Sequence, residues 1–395
     1  MVTSRPNLNY MSQKISSDFK LGIIGGGQLG KMLIQAASRW DIAIYVLDPD
    51  ENCSAANLCT KYFKGSFKNY DDVYQFAQEV DLVTFEIEHV NIDVLKQLTQ
   101  EGKTVHPSAE ALAIIQDKGL QKEFYAQNNF PTAAFKLYQT KEEVLKAISA
   151  NEITYPFVQK SRKEGYDGRG VVVIKSVAEN DKIFDTPSVI EEAINIEKEL
   201  AVIVARNNKN EITSFPTVEM EFSAEANLVE QLVCPSAISN EVEEKAQQLA
   251  KSIIAALDMV GILAVELFLT KTGEVIVNEV APRPHNSGHH TIESCYTSQF
   301  EQHLRAILDF PLGSTKLIQP SIMLNILGEA DAMGKIIYEG VNECMSMEGV
   351  NLHIYGKKDV KPFRKMGHVT ILGENIEAAR TKAAQVKKVL KAKSL

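Results

Sequence analysis

The stretch GILAVELFLTKTGEVIVNEVAPRPHNSGHH, residues 261–290, decides how this chain reads. Two apolar runs flank Lys271-Thr272-Gly273, a turn signal, so residues 261–280 predict a β-hairpin. Each run carries one glutamate, Glu266 and Glu279. A hairpin symmetric about Thr272-Gly273 sets them directly opposite, roughly 5 Å apart. Carboxylates that close within apolar strands repel with little screening, and a cation resolves the repulsion. Magnesium suits the place, because it takes carboxylate oxygens and keeps positions open for phosphate oxygens. The plainer reading, two surface glutamates on an edge strand, sits badly in so apolar a run. A bulge in the turn would shift the register and break the pairing.

The loop that follows, residues 281–290, is rich in donors and made irregular by Pro282, Pro284 and Gly288. Arg283 can hold a planar anion in its guanidinium fork. His285, His289 and His290 have no thiol or carboxylate at ligand spacing, which favours hydrogen-bonding roles. Upstream, strands at 157–160 and 171–175 flank Gly165-Tyr166-Asp167-Gly168-Arg169-Gly170. Mobile amides beside Lys160 suit a triphosphate, under a hairpin that can close as a lid. No Lys-Ser or Lys-Thr follows the glycines, so the loop is no Walker motif. By composition, Glu191-Glu192-Ala193-Ile194 and Glu199 read as a solvated acidic strand.

The first motif in the chain points elsewhere. An apolar strand at 20–24 runs into Gly25-Gly26-Gly27-Gln28-Leu29-Gly30, then a helix, then a strand ending at Asp48. This matches the dinucleotide fingerprint. Any phosphate would satisfy such amides, so a nicotinamide cofactor and another phosphate ligand both stay open. Leu82 to Phe85 reads as a further strand, ending in Glu86-Ile87-Glu88. Strands alternating with helices predict a parallel sheet.

At 395 residues two or three domains are expected. A net charge of -9 argues against a general grip on nucleic acid. Five cysteines without a CxxC pair suggest free thiols in a reducing cytoplasm rather than disulfides or zinc. No apolar run reaches membrane-span length. Residues 1–19 lack a signal peptide's apolar middle and read as an extension. Lys357, Arg364 and Lys365 cluster after Tyr355-Gly356, either as a solvated basic patch or as a phosphate pocket completed by Gln28 and the first helix's N-terminal amides.

In order along the chain, GGGQLG (25–30), TFEIEH (84–89), GYDGRG (165–170), NEVAPRPHNSGH (278–289) and YGKKDVKPFRKMGH (355–368) resemble the ATP-grasp superfamily, and within it the N5-carboxyaminoimidazole ribonucleotide synthetases. The resemblance implies an α/β and α+β chain: an ATP-grasp fold behind a Rossmann-like pre-ATP-grasp domain, with a small C-terminal domain. It divides the chain at 20–113, 114–315 (lid about 130–195) and 316–395. Lys118 and Lys160 would contact ATP phosphates, with Gly165 to Val171 closing over them. Glu191, Glu192, Ala193 and Ile194 would line the adenine pocket and Glu199 would hold the ribose. Glu266 and Glu279 would bind Mg2+, or Mn2+ as a substitute, beside Asn278. Gln28, Leu29, Glu86, Asn286, Lys357, Arg364 and Lys365 would hold 5-aminoimidazole ribonucleotide, and Arg283 and His285 would lie near bicarbonate. A cytoplasmic homodimer would be expected.

Two positions depart from the family pattern: Val171 where Gln is common, and Phe222 where a His near ATP is common. Formate-dependent glycinamide ribonucleotide formyltransferases share the fold but typically carry Glu at the place of Gln28 and Asp at that of Asn286. A protonated aliphatic amine favours those carboxylates, and the weakly basic aminoimidazole amine favours the neutral amides seen here. A nicotinamide-dependent oxidoreductase, or a silent nucleotide-binding regulator, leaves the carboxylate pair unexplained.

Overall fold

The computed structural model describes residues 16–163, 170–222 and 229–395, so the loop residues Gly165, Tyr166, Asp167, Gly168 and Arg169 and most of the N-terminal extension lie outside the described residues. The N-terminal unit is a five-stranded parallel sheet in the order Lys61–Lys64, Ala43–Asp48, Lys20–Ile24, Leu82–Phe85, Thr104–Val105. Its central strands read as largely apolar runs because both faces are covered. Leu21 and Ile23 face the helices Gln28–Ala37 and Gln299–Ile307. Ile24, Val83 and Phe85 join the core beneath the helices Tyr70–Gln78, Ile92–Gln100 and Ala109–Ile115. Asn69, Asn91 and Ser108 cap those three helices by accepting from backbone amides of their first turns.

An antiparallel sheet of Phe135–Tyr138, Ser188–Glu192, Phe157–Ser161 and Val171–Ile174 follows, with its own small core under the helix Lys141–Ser149. The acidic run expected as one strand divides into Ser188–Glu192 and Ile196–Arg206, which belong to different sheets.

The largest sheet runs Val275–Ala281, Gly261–Thr270, Ile196–Arg206, Val218–Phe222, Val229–Cys234, Ser321–Leu327, Lys365–Leu372, Val350–Ile354. It therefore crosses residue 316 without a break. Val233 pairs with Ile322, so Ser321–Leu327, Lys365–Leu372 and Val350–Ile354 extend the sheet of the hairpin, while Asp359–Val360, Gly334–Glu339 and Lys391–Ser394 form a separate three-stranded sheet. Leu263, Val265, Leu267 and Leu269 alternate onto the face covered by the helix Asn240–Ala256, which sends Ala264, Glu266 and Phe268 to the other face. Among the described residues no helix is long and apolar enough to cross a membrane.

Leu263 is fully buried between this strand and the helix Asn240–Ala256. Leu263→Ala is expected to cost roughly 2–5 kcal/mol in urea unfolding. A loss below about 1 kcal/mol would contradict this packing.

Candidate active site

The hairpin pairs Glu266 with Glu279 as expected, by a route the symmetry argument did not contain. Thr270 donates its backbone N–H to the Glu274 carbonyl at 2.9 Å, and Leu267 pairs with Val277, so the turn centres on Thr272. Continued without interruption, that register would set Asn278 opposite Glu266. A one-residue irregularity between Leu267 and Glu266 leaves Asn278 as the extra residue and restores the glutamate pair. A bulge also lets successive side chains serve one site instead of alternating across the sheet. Asn278 Oδ1 accepts from Lys160 Nζ at 2.7 Å, and Glu279 pairs with Lys118 Nζ.

Electrostatics separates the two glutamates. Burial, with the charge of Glu279 beside it, holds the Glu266 carboxyl well above the usual range. Burial pushes Glu279 up too, but Lys118 and Lys160 outweigh it and keep Glu279 ionised at low pH. Lys118 is held above its ordinary value, Glu279 more than offsetting burial. Among the described residues no group of three or more His, Cys, Asp or Glu is arranged for a metal. Two opposed carboxylates would suit a divalent ion that takes oxygen ligands and leaves positions open.

Glu191 does not lie on a solvated strand. Its side chain is 4% exposed, with Lys122 Nζ at 3.2 Å and Lys160 Nζ at 3.0 Å. Burial raises its carboxyl, and the two ammonium groups bring it below the ordinary value. Glu192 is exposed, and Ala193 and Ile194 are half-buried in the link to the next strand. Glu199, half-buried and pushed up to about 7 by burial, lies on the same sheet face as Glu266. Val171 and Phe222 are exposed beside the undescribed segments 164–169 and 223–228.

The 281–290 loop carries the next layer. His285 Nε2 lies 3.6 Å from Glu266 Oε1, and its Nδ1 lies 2.9 Å from Ser287 Oγ. Arg283 Nη2 lies 2.7 Å from Glu88 Oε1. Glu88 stands in the TFEIEH stretch, yet sequence reasoning took only Glu86 from it. Gln299, also missed, accepts from the His285 backbone N–H at 2.9 Å and donates to the His285 carbonyl at 2.7 Å. Asn286 opens the short turn Asn286–Gly288 held by this clamp.

The glycine turn behaves differently from its fingerprint. The Gly26 amide donates to Asp48 Oδ2 at 2.7 Å, and the Gly27 amide donates to Glu86 Oε1 at 2.8 Å. The chain's own carboxylates thus occupy the donors that a dinucleotide pyrophosphate would use. Gly25 has a φ of 97°, and a Cβ on Gly27 would come within 2.9 Å of Glu86 Oε1. The oxidoreductase reading loses its support here. Gln28 begins the helix half-buried, and the Leu29 side chain is sunk in the domain core.

Lys357 Nζ donates to the Lys365 carbonyl, and Arg364 Nη1 to the Asp359 carbonyl, both at 2.7 Å. These bonds shape a basic loop that leans on the first domain. There Lys31 Nζ donates to the Ile354 carbonyl at 2.7 Å, and Lys358 bonds Asn52. Lys31 lies one turn beyond Gln28 and belongs to the same basic edge. A lysine on an amphipathic helix gives no sequence signal of that role.

Residues 19–116 match the ribonucleotide synthetase preATP-grasp domain, 123–300 the ATP-grasp domain, and 321–382 the phosphoribosylaminoimidazole carboxylase C-terminal domain. The chloroplastic phosphoribosylaminoimidazole carboxylase of Vigna aconitifolia is 40% identical over 92% of this chain and 66% of its own length. The chain spans about two thirds of the length of the carboxylase relatives it matches first, 63% to 66%. The N5-carboxyaminoimidazole ribonucleotide synthase of Bacillus subtilis is 35% identical over 89% of this chain and 91% of its own. Among solved structures, the N5-carboxyaminoimidazole ribonucleotide synthetase of Thermotoga maritima is 42% identical with a TM-score of 0.88, covering 95% of this chain and 100% of that one. The Aspergillus clavatus synthase, in complex with ADP and 5-aminoimidazole ribonucleotide, is 35% identical with a TM-score of 0.85, covering 94% of this chain and 99% of that one.

Glu86 gives a pH test of the glycine-turn geometry. Burial pushes its carboxyl up to about 7 from an ordinary value near 4.5. Between those values the folded chain holds a proton that the unfolded chain has released, so this group's contribution to stability falls as pH rises through the window. Glu86→Gln cannot titrate. Its stability relative to the parent should rise between pH 4.5 and 7, by an amount on the order of 3 kcal/mol at most. Parallel urea curves at both ends of the window with an unchanged difference would refute this assignment.

Proposed function

The chain belongs to the N5-carboxyaminoimidazole ribonucleotide synthase family of ATP-grasp ligases, and from that premise we propose that it carboxylates 5-aminoimidazole ribonucleotide with ATP and bicarbonate. The observation that carries this reading is the opposed Glu266/Glu279 pair, with Lys118 and Lys160 reaching the same bulge. The neutral Gln28 and Asn286 favour the weakly basic aminoimidazole amine over an aliphatic ammonium. A homodimer is part of the same proposal.

Glu266 and Glu279 would hold Mg2+, with Mn2+ as a substitute, and the ion would neutralise charge on the transferred phosphoryl group. Lys118 and Lys160 carry positive charge to the phosphates from two sides. A bicarbonate oxygen attacks the γ-phosphorus and the bond to the ADP oxygen breaks, giving carboxyphosphate. Arg283, oriented by Glu88, and His285, beside Glu266, hold that anion. Carboxyphosphate splits into carbon dioxide and phosphate. The exocyclic amine nitrogen attacks the carbon, the C–N bond forms, and the amine proton passes to the released phosphate. The lid sheet above the site keeps water from the intermediate. Lys357, Arg364 and Lys365 bind the ribonucleotide 5′-phosphate.

The direct test is phosphate release from ATP, which should require both bicarbonate and 5-aminoimidazole ribonucleotide. Turnover of glycinamide ribonucleotide with formate in their place would overturn the assignment. Glu279→Gln should lower kcat by at least about a hundredfold, equivalent to some 3 kcal/mol of transition-state stabilisation. Its stability should change little, since relieved repulsion at Glu266 is set against a weakened pair with Lys118. Wild-type kcat would remove Glu279 from the metal site. Arg364→Ala should raise KM for 5-aminoimidazole ribonucleotide roughly ten- to a hundredfold and leave KM for ATP unchanged. Equal effects on both substrates would move the basic loop to the nucleotide site.

A further inference from the structure

Lys122 has no place in the scheme above, yet it is one of the most deeply buried charges in the chain, 3% exposed. Its Nζ donates to Thr132 Oγ1 at 2.6 Å, and that hydroxyl donates to the Val277 carbonyl at 2.9 Å. On its other side the ammonium lies 3.2 Å from Glu191 Oε1. The second oxygen of Glu191 lies 3.0 Å from Lys160 Nζ, which donates to Asn278 Oδ1. These contacts close a ring that begins at Val277 and ends at Asn278, adjacent residues at the bulge. The ring passes through the helix Lys118–Gln127, the segment after it and two strands of the lid sheet.

The ring has an electrostatic consequence. Two ammonium groups share one carboxylate, so the buried cluster keeps one net positive charge. Lys160 is the member of the cluster that reaches the site face of the bulge. Without Lys122, Glu191 would belong to Lys160 alone, and the charge that Lys160 offers a phosphate would be neutralised at short range. The low exposure of the cluster leaves that neutralisation poorly screened. Burial and the neighbouring ammonium groups bring Lys122 down to about 8, less than burial alone would give because Glu191 opposes it.

We propose that Lys122 is a positioning residue for ATP: it takes up Glu191 so that Lys160 stays held in direction but free in charge for the nucleotide's phosphates. This rests on the ATP site proposed above. Lys122 itself touches no substrate.

The test is ATP binding by titration calorimetry, together with KM for both substrates, on the full chain. Lys122→Met leaves Glu191 paired with Lys160, so no buried carboxylate is stranded. It should raise Kd and KM for ATP about tenfold, roughly the loss of one charge-assisted contact, with KM for 5-aminoimidazole ribonucleotide unchanged. Adding Glu191→Gln, which keeps the shape of a side chain expected to line the adenine pocket, returns the cluster to its original net charge, and the double variant should recover most of the lost ATP affinity. If Lys122 only packs the ring, the double variant binds ATP no better than the single one, and the proposal fails. Lys122→Arg, which keeps the charge, should bind ATP like the parent; a tenfold loss there too, in a protein with the parent's melting temperature, would also overturn it. Failure of the unaltered chain to bind ATP would instead sink the site assignment itself.

Discussion

Everything in the site follows from setting two carboxylates against each other on neighbouring strands of a buried hairpin. Alone, that arrangement is unfavourable, because like charges directly across a sheet repel and apolar neighbours screen them little. The chain meets the problem with cations. Lys118 pairs with Glu279, Lys160 binds the bulged Asn278, and Lys122 shares Glu191 with Lys160. The outcome is asymmetric: Glu279 is ionised and Glu266 is held in its protonated form to unusually high pH. On the reading proposed above, a divalent cation would displace that proton and be shared by both carboxylates.

How much of this could be read from the residues depends on which force set each feature. The hairpin was legible because apolar runs and a Lys-Thr-Gly turn are local signals. The bulge was not, since nothing in VIVNEV marks Asn278 as the extra residue. The correct pairing of Glu266 and Glu279 was reached from a symmetry about Thr272-Gly273 that the turn does not have. The burial of Glu191 was equally invisible: an acidic tetrapeptide looks solvated until Lys122 and Lys160, from two other elements, are brought onto it. Glu88 and Gln299 escaped for the same reason, because each acts by gripping another residue's side chain or backbone.

The glycine turn shows the opposite failure, where a strong local signal was physically right and functionally misleading. The backbone does present free amides at a helix N-terminus, as the motif requires. Asp48 and Glu86 then fill them from within the chain. A helix N-terminus attracts any nearby anion, and a buried carboxylate meets that need as well as a phosphate does. The motif therefore reports a conformation and leaves the ligand open.

The continuous sheet explains how a basic loop near residue 360 is tied to a hairpin site centred on residue 279. Four strands connect the Glu266 strand to Lys365–Leu372, and His368 on that last strand stacks between His353 and His289, with ring centroids 4.3 Å and 4.7 Å away. Burial holds His289 and His368 far below the ordinary histidine value, so they pack as neutral rings at physiological pH and do not repel. His289 belongs to the loop that carries Arg283 and His285, and Tyr355, bonded to His368 Nδ1 at 3.0 Å, begins the basic loop. The two loops are thus fastened to one aromatic stack. Moving either requires breaking close packing on both sides, and side chains so constrained keep the distance between the Arg283/His285 loop and the basic loop nearly constant.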